Sequence, residues 1–427
     1  MIQASLATKQ LDNSASLPEM RQLIRDYCTF NEDLRFLNAI HVTGSKGKGS
    51  VCAFTESILR RAGLRTGMFT SPHLVHPRER IRIDGQPVAE ALFARHVLDL
   101  NKRISARGEF VSYFRFIWMV ALEIFAEEKI DAGIIEVGIG GRYDATNVIP
   151  APICCGITSL ALEHVNILGS SLKNIAWHKA GIMKPNIQAF SVAQQAEAED
   201  VLLDEAKIIG NPLCLLNDSV SPDWKLGIDG EHQRMNAALA VSLSKYFAKE
   251  ARNLNLDDET IKRSLLETTW AGRQQFLPSI VEDVHLFLDG SHTYESIQYT
   301  ATWFESRLNP EKKKVLLFHC SGDRDGHRLL EPLLALSFDY VFFVIPDSLA
   351  PGKDSLVSIL VHHQKLADHW NSRTMIDTPE KVKVFGLFSD CWNEILQISR
   401  DMGPLDVLVC GSLYLVGTVM KSLNIST

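Results

Sequence analysis

One stretch near the amino terminus, His41-Val-Thr-Gly-Ser-Lys-Gly-Lys-Gly-Ser50, restricts the fold more than any other part of the chain. Its last seven residues hold three glycines and two lysines, between an apolar segment at 36–42 and a helical pattern that starts near Val51. A strand, a glycine-rich turn and a helix in this order are typical of α/β proteins that point backbone N–H groups and a helix N-terminus at phosphate. The stretch therefore predicts an α/β protein with a nucleotide phosphate site.

This stretch differs from the general P-loop pattern at two positions. Val42 stands where the pattern has its first glycine, and Gly49 follows Lys48 where the pattern has the hydroxyl that binds Mg²⁺. Glycine-rich turns also join strands to helices without any ligand, but two lysines inside the turn favour phosphate. We therefore expect the metal ligands to come from other parts of the chain.

Composition narrows the class of protein. A chain of 427 residues is long enough for two or three domains, and 46% hydrophobic with 22% charged residues is typical of a globular protein. With a net charge of −7, the chain lacks the positive electrostatic field that is typical of nucleic-acid-binding proteins, so we expect no nucleic-acid partner.

The cysteines and the amino terminus indicate the compartment. The eight cysteines form no CxxC pair and mostly lie in apolar runs, as reduced core thiols do in a cytosol-like compartment. No apolar run reaches the length of about 18 residues that a membrane span needs. The first twenty residues lack an apolar signal segment and carry Asp12 and Glu19, which argues against a transit peptide. We expect a cytoplasmic protein without a membrane partner; a longer, mitochondrially targeted form made from an upstream start is compatible with the sequence.

The segment 68–85 concentrates positive charge in a loop marked by prolines. It carries Arg78, Arg80 and Arg82 together with two histidines, and the alternation from Arg80 to Ile83 suits a half-buried strand. These arginines form either a solvated strand face or a clamp for a substrate carboxylate.

Glu136 lies near the carboxyl end of a predicted buried strand, Ala132-Gly-Ile-Ile-Glu-Val137, and a glycine-rich turn at 138–141 follows this strand. A carboxylate on an apolar strand is unfavourable unless it is paired or binds a metal, and ligands bind at this edge of doubly wound sheets. Glu136 is therefore a candidate Mg²⁺ ligand. His164 also follows a strand, at 153–159, although a single histidine is more often structural.

Lys179 occupies the apolar stripe of a predicted helix at 171–180, with Leu172, Ile175 and Ala176. Burial lowers the pKa of an ammonium group and leaves an amine that can act in catalysis or take up CO₂ as a carbamate. The alternative is a lysine near the helix end whose ammonium reaches solvent.

Further segments predict helices at 17–36, 90–104 and 112–128, the last with an aromatic face that is typical of core. A polar turn with Gln233, Arg234 and Asn236 opens another helix and suits a nucleotide or substrate.

A second parallel α/β domain is predicted from about Gln274. Strands at 284–289, 314–319, 338–345 and 406–410 alternate with helices, and three polar turns, at 288–292, 320–325 and 409–413, converge on one sheet edge. Residues 347–400 are predicted to be polar and mostly helical, with His362 and His363 at the surface. We expect a P-loop-type, mostly parallel ATPase domain at 1–272 and a smaller Rossmann-like α/β domain at 273–427.

Taken together, the chain from about His41 to Gly417 resembles the folylpolyglutamate synthases, the folate branch of the Mur ligase superfamily. The motifs that carry the resemblance are 43–50, Thr70-Ser-Pro-His-Leu74, Arg78-Glu-Arg-Ile81, Glu136-Val-Gly-Ile-Gly-Gly141, His178-Lys-Ala-Gly-Ile182, Gln233-Arg-Met-Asn236, Asp289-Gly-Ser-His292 and Gly411-Ser-Leu-Tyr-Leu415. Trp177–Gly181 and Ser321–Asp325 look more like the eukaryotic enzymes than the bifunctional bacterial ones. Ser291 stands where the family has alanine.

The resemblance implies ATP, Mg²⁺ at two sites and a carbamylated lysine as cofactors, and it allows a monovalent cation. The implied ATP-binding residues are Gly44, Ser45, Lys46, Gly47, Lys48, Gly49, Ser50, Asn236, Arg273 and Asp289. The implied metal ligands are Ser71, Glu136, His164 and Lys179 as the carbamate. Ser71 would supply the hydroxyl that Gly49 lacks.

The remaining implied roles concern the substrates. Ser71, Pro72, His73, Arg78 and Arg80 match the folate-binding loop, whereas Lys48, Lys179, His292 and Ser412 would be catalytic. The implied reaction adds L-glutamate to the γ-carboxylate of a reduced folate through an acyl phosphate, by a monomer. The alternatives are a dihydrofolate synthase, which adds the first glutamate to dihydropteroate, and a non-catalytic folate- or nucleotide-binding homologue.

Overall fold

A computed structural model describes residues 16–30, 33–281, 283–322, 324–347, 353–374 and 379–426. The chain forms two compact units, of which the first comprises the described residues up to Gly227 and Glu231–Thr269. The second comprises Ile228–Gly230 and the chain from Trp270 onward. Each unit is an α/β fold around one mostly parallel sheet, as the sequence predicts.

The first unit contains an eight-stranded sheet in the order β4-β3-β2-β5-β1-β6-β7-β8. Six strands run parallel, and the short β3 and β4 add an antiparallel edge. The strands are β1 Ala39–Thr43, β2 Thr66–Phe69, β3 Ile81–Ile83, β4 Gln86–Pro87, β5 Ala132–Glu136, β6 Cys154–Ile157, β7 Ala189–Val192 and β8 Leu213–Leu216. All five residues of both β1 and β5 are buried, as expected for central strands with helices on both faces.

Helices cover this sheet with apolar faces. They are α1 Ser16–Tyr27, α2 Lys48–Arg61, α3 Glu90–Ser105, α4 Tyr113–Glu128, α5 Val165–Leu168, α6 Leu172–Ala180, α7 Ala196–Ile209, α8 Gln233–Arg252 and α9 Asp258–Glu267. Trp118 and Phe125 on the aromatic face of α4 are fully buried core, as predicted, whereas Tyr113 at the start of this helix is exposed. The predicted first helix, 17–36, is too long. Helix α1 ends at Tyr27, and a separate 3₁₀ turn at Leu34–Leu37 starts where the Asp33 carboxylate accepts the Arg35 N–H.

The second unit contains a six-stranded sheet in the order β13-β12-β11-β14-β10-β9. Its strands are β9 Gln275–Val281, β10 Val284–Leu288, β11 Lys313–Phe318, β12 Tyr340–Val344, β13 Val382–Phe385 and β14 Leu405–Cys410. Its helices are α10 Tyr294–Glu305, α11 Gly326–Leu334, α12 Lys353–Arg373, α13 Phe388–Met402 and α14 Leu413–Ser422. The four predicted strands are confirmed as parallel, whereas β9 is antiparallel and β13 lies inside the segment 347–400 that was expected to be mostly helical.

The expectation that His362 and His363 lie at the surface is wrong. The His363 ring is fully buried and His362 is half-buried. His363 stacks on His319 with ring centroids 4.9 Å apart, and its Nδ1 donates to the Ile359 carbonyl at 2.8 Å. Among the described residues, no helix combines the length and the apolarity needed to cross a bilayer.

Candidate active site

The glycine-rich turn joins β1 to α2, as predicted. Gly44 and Gly47 have φ angles of +146° and +89°, which side chains rarely allow. A Cβ on Gly47 would lie 2.4 Å from Asn236 Oδ1, so Asn236 packs directly against the turn. The predicted nucleotide residues Gly44–Ser50 and Asn236 therefore lie together at the N-terminus of α2, where N–H groups and the helix dipole attract anions.

Two lysines converge on one carbonyl of this turn. The Nζ atoms of Lys48 and Lys179 donate to the Gly44 carbonyl oxygen at 2.9 and 2.7 Å. Lys179 also donates to Glu163 Oε1 at 2.8 Å, and its side chain is 1% exposed. Lys179 is thus buried, as its place in the helical stripe predicts, and its ammonium does not reach solvent.

Burial, followed by the charge of Lys48, lowers the pKa of Lys179 to about 8, and Glu163 opposes part of this shift. Near neutral pH a share of the side chain is therefore the neutral amine, the form that reacts with electrophiles and with CO₂. Whether Lys179 carries a carbamate stays a prediction.

Glu163 is a residue that sequence reasoning missed. Burial alone would raise the pKa of this carboxyl, but the charges of Lys48 and Lys179 hold it below its usual value. Its position directly before His164, beyond the end of β6, was the signal that could have revealed it.

The predicted metal ligands are partly brought together. Glu136, which is 4% exposed, accepts the Ser71 backbone N–H at 2.9 Å through Oε2, because β5 and β2 are neighbouring parallel strands. His164 is exposed, with a left-handed φ of 47° at the start of α5. Among the described residues, no three His, Cys, Asp or Glu side chains are arranged to hold a metal ion. Ser71 and Glu136 offer the oxygen ligands that suit Mg²⁺, which keeps several waters and needs few protein ligands.

The arginine loop is ordered by its own contacts. Arg80 Nε donates to His73 Nδ1 at 2.9 Å, and its guanidinium lies 5.3 Å from the ring centre of Tyr113. Burial lowers the pKa of His73 to about 4, which leaves the ring neutral and able to accept. Arg78 donates to the Val88 carbonyl at 3.1 Å, and Pro72 is exposed. Tyr113 is a second residue that the sequence did not single out.

In the second unit, three predicted residues lie at the carboxyl ends of the neighbouring strands β10 and β14. The Asp289 carboxylate is 7% exposed and accepts the backbone N–H groups of Gln274 and Ser291, each at 2.8 Å. His292 Nδ1 donates to the Gly290 carbonyl at 2.8 Å. Ser412 Oγ accepts the Tyr414 N–H at 3.1 Å and caps α14.

The fourth predicted residue of this unit, Arg273, precedes β9. Its Nη1 donates to the Gly272 carbonyl at 3.2 Å. Gly272 in turn accepts the Gly290 N–H at 2.9 Å, so Arg273 is tied to the turn that follows Asp289.

A surface pocket of about 420 Å³ opens beside the helix that carries Lys179. Exposed apolar side chains, including Trp177 of that helix, give the pocket a partly apolar wall. Its lining consists of Val165, Asn166, Ile167, Leu168, Gly169, Asn174, Trp177 and His178.

Comparison with known proteins finds folylpolyglutamate synthases along most of the chain. The mitochondrial enzyme of Cricetulus griseus is 40% identical, and the match covers 92% of this chain and 84% of that protein. The folylpolyglutamate synthase of Candida albicans is 31% identical over 98% of this chain and 92% of its own length. The mitochondrial enzyme of Bos taurus is 41% identical over 73% of this chain, which spans 60% of that relative. No family model matches the chain.

Solved structures agree with this fold. A Mycobacterium tuberculosis folylpolyglutamate synthase, crystallised with ADP and AMPPCP, superposes with a TM-score of 0.77 at 24% identity and covers 96% of this chain. An Escherichia coli FolC superposes with a TM-score of 0.75 over 99% of this chain at 22% identity. The extent and identity of the sequence matches show that the chain belongs to the folylpolyglutamate synthase family of ligases.

Proposed function

We propose that this protein adds L-glutamate to the γ-carboxylate of a reduced folate, or of its polyglutamate, at the expense of ATP. The observation that supports this most directly is the convergence of Lys48 and the buried Lys179 on the Gly44 carbonyl, at the N-terminus of α2. The Lys48 ammonium beside a helix N-terminus forms a site for the charge of a transferring phosphoryl group, and Lys179 reaches the same carbonyl from α6. The relatives that match most of the chain are named for this activity.

ATP is the expected nucleotide, since related structures are described as complexes with ADP or AMPPCP. The phosphates would lie along Gly44–Ser50, with Asn236 against the turn. We assign ATP and folate binding to residues 1–272. Residues 273–427 would add the ATP-binding residues Arg273 and Asp289. The same residues would handle glutamate through His292 and Ser412.

Magnesium would be held by Ser71, Glu136 and His164 at one site and by the Lys179 carbamate at a second, where it would neutralise phosphate charge. The contact between the Ser71 backbone and the Glu136 carboxylate suits the first site. The shifted pKa of Lys179 suits carbamate formation. A monovalent cation stays a further expectation.

In the proposed reaction, the folate γ-carboxylate attacks the γ-phosphorus of ATP and ADP leaves. Lys48 and the N–H groups of α2 stabilise the charge on the transferred group. The amine of L-glutamate then attacks the acyl phosphate, a proton leaves the nitrogen, and phosphate departs from the tetrahedral intermediate. The His73–Arg80 pair, and Arg78, would hold the folate carboxylates, while Ser71 and Pro72 line the same loop.

The decisive experiment compares tetrahydrofolate with dihydropteroate, each with ATP and L-glutamate, and reads product chain length by mass. We expect glutamate addition to tetrahydrofolate; turnover only with dihydropteroate would instead assign a dihydrofolate synthase. Lys48→Ala should abolish substrate-dependent ADP release, and unchanged release would refute the phosphate site. Absence of turnover with either substrate would favour a non-catalytic homologue. The monomeric state and the cytoplasmic location stay predictions.

A further inference from the structure

The C-terminal turn of α6 needs hydrogen-bond donors from outside the helix. The last four carbonyl groups of any α-helix have no intrahelical partner, and in α6 these belong to Trp177, His178, Lys179 and Ala180. Lys179 lies in this turn. The groups that donate hydrogen bonds to these carbonyls therefore also fix the backbone position from which the Lys179 side chain extends.

One residue supplies two of the four partners. The Arg142 backbone N–H donates to the His178 carbonyl at 2.7 Å. The Arg142 guanidinium donates to the Trp177 carbonyl, through Nη2 at 3.2 Å and Nε at 3.4 Å. The other two carbonyls are satisfied by the chain that follows, through N–H groups of Ile182 at 3.3 Å and Met183 at 3.0 Å.

Arg142 is itself held firmly. Its guanidinium stacks over the Trp177 ring at 4.0 Å from the ring centre, and Nη2 pairs with Glu205. The side chains of Arg142 and Glu205 are only 25% and 16% exposed. A cation at the C-terminus of a helix is also favoured by the helix dipole.

Asn147 adds a second link between the same two segments. Its Nδ2 donates to the carbonyls of Arg142 and Gly181, each at 3.0 Å. The segments are in close contact, since a Cβ on Gly181 would lie 2.3 Å from the Arg142 Cβ. Asn147 is 3% exposed, so these bonds are shielded from water.

These contacts join the two elements that carry the candidate metal ligands Glu136 and Lys179. Arg142 ends the turn that begins after Glu136, the last residue of β5, and it binds the helix turn that contains Lys179. We propose that Arg142, assisted by Asn147, is a positioning residue that fixes Lys179 relative to Glu136 and so sets the arrangement of the two proposed metal sites. This inference rests on the proposed function only for the assignment of Glu136 and Lys179 to metal.

The proposal is tested with Arg142→Ala, Arg142→Lys and Asn147→Ala in the full-length protein. Arg252→Ala is the matched control, because Arg252 also donates to a backbone carbonyl and pairs with a carboxylate, both of Asp131, outside the candidate site. Mn²⁺ affinity in the presence of ADP is measured by electron paramagnetic resonance of free Mn²⁺. Carbamylation is followed by ¹³C NMR with ¹³CO₂, alongside the melting temperature and the steady-state constants.

We expect Arg142→Ala to weaken Mn²⁺ binding and to lower kcat by about 10- to 100-fold, as loss of a residue that supports a metal ligand typically does. KM for folate should stay near its wild-type value. Arg142→Lys should recover part of the Mn²⁺ affinity, since an ammonium still reaches one carbonyl. Asn147→Ala should have a smaller effect in the same direction, and Arg252→Ala should leave Mn²⁺ affinity unchanged.

Unchanged Mn²⁺ affinity in a folded Arg142→Ala protein would overturn the proposal, as would an equal loss in Arg252→Ala. A lowered melting temperature with normal Mn²⁺ affinity would show that Arg142 serves only stability, and would also overturn it. The proposed function fails by a different result, namely a wild-type protein that binds Mn²⁺ but adds no glutamate to folate.

Discussion

At the scale of single residues, the effect of replacing Lys179 is the most direct test of the proposed function. Lys179→Ala should lower turnover by about 100-fold or more, because charge stabilisation at a transferring phosphoryl group contributes several kcal/mol. If Lys179 acts as a carbamate, short carboxylic acids should restore part of the activity by entering the vacated space. Turnover of the variant is measured with and without acetate or propionate.

The control for this rescue is Lys48→Ala, which should not respond to the same acids because Lys48 contributes a positive charge. Equal rescue of both variants would mean that the acids act elsewhere. No rescue of Lys179→Ala, together with an intact mass of the wild type that lacks the added CO₂, would contradict the carbamate.

The buried pair His319 and His363 predicts how stability depends on pH. Burial lowers the pKa of His319 to about 3 and that of His363 to about 4, so both rings fold in the neutral form. The unfolded chain binds protons near pH 6.5 and the folded chain does not. The contribution of the two neutral rings to the free energy of unfolding is therefore complete above about pH 6.5. It falls as pH drops toward 4, by up to about 1.4 kcal/mol per pH unit for each ring.

This slope is measured by urea unfolding, or by hydrogen exchange of α12, at several pH values between 7 and 4.5. His363→Gln removes one titrating ring and should reduce the dependence of the free energy of unfolding on pH. The urea concentration at the unfolding midpoint at pH 7 should also fall. His327→Gln is the comparison, since His327 stacks on His369 but is exposed. An unchanged slope in His363→Gln would refute the assignment.

At the scale of elements, the turn between β1 and α2 shows how a glycine can be required by its surroundings. Gly47→Ala combines a φ of +89° with a contact at 2.4 Å to Asn236 Oδ1. Overpacking costs about 1–3 kcal/mol, so ATP binding should weaken by about 5- to 150-fold. Nucleotide affinity is measured by isothermal titration calorimetry.

Gly63→Ala is the matched control for this prediction. Gly63 has nearly the same φ, +87°, but an added Cβ would meet nothing within 4 Å. Both variants carry a backbone strain of about 1 kcal/mol, but only Gly47→Ala also adds a contact with Asn236 in the proposed phosphate turn. Equal nucleotide affinity in the two variants would contradict a role for this contact.

The elements that the sequence predicted correctly are those whose pattern is local. The glycine turn is predicted from its own residues between a strand and a helix. The buried Lys179 is predicted from its place in the apolar stripe, because helical periodicity assigns a face to each residue. The edge strand β9 was missed because Pro278 interrupts its pattern, and the edge strand β13 because its four residues carry little apolar pattern of their own. The length of α1 was overestimated because the pattern continues past Tyr27, whereas the cap at Asp33 starts a separate turn.

At the scale of the whole molecule, the sequence predicted several residues that the fold brings to the candidate site, but it missed Glu163 and it did not predict the contacts. Glu136, Lys179 and Asn236 were found from the ends of strands and helices. The Lys179–Glu163 ion pair joins residues 16 positions apart, and the contact of Arg80 with Tyr113 joins segments 33 positions apart. Only the packed fold fixes such distances, so no local pattern reveals which partner a buried charge will take.

The path of the chain between the two units leads to a last prediction. Residues 228–230 belong to the second unit although the chain then returns to the first until Thr269. Asp229 attaches this short segment to the rest of the second unit. Its Oδ2 forms an ion pair with Arg307 at 2.7 Å and accepts a hydrogen bond from Trp303 Nε1 at 3.2 Å. Asp229→Asn should lower the free energy of unfolding of the second unit by about 1 kcal/mol, the usual net value of a partly exposed charged hydrogen bond.

Hydrogen exchange with mass spectrometry reads the two units separately. Protection should fall in α10, which carries Trp303, and should not change in β1 or β5, whose residues are fully buried in the first unit. Asp258→Asn is the control, since Asp258 forms a more exposed ion pair, with Lys245, in the first unit. An equal loss of protection in both units after Asp229→Asn would mean that they unfold as one cooperative body, since a local defect would then destabilise the whole chain.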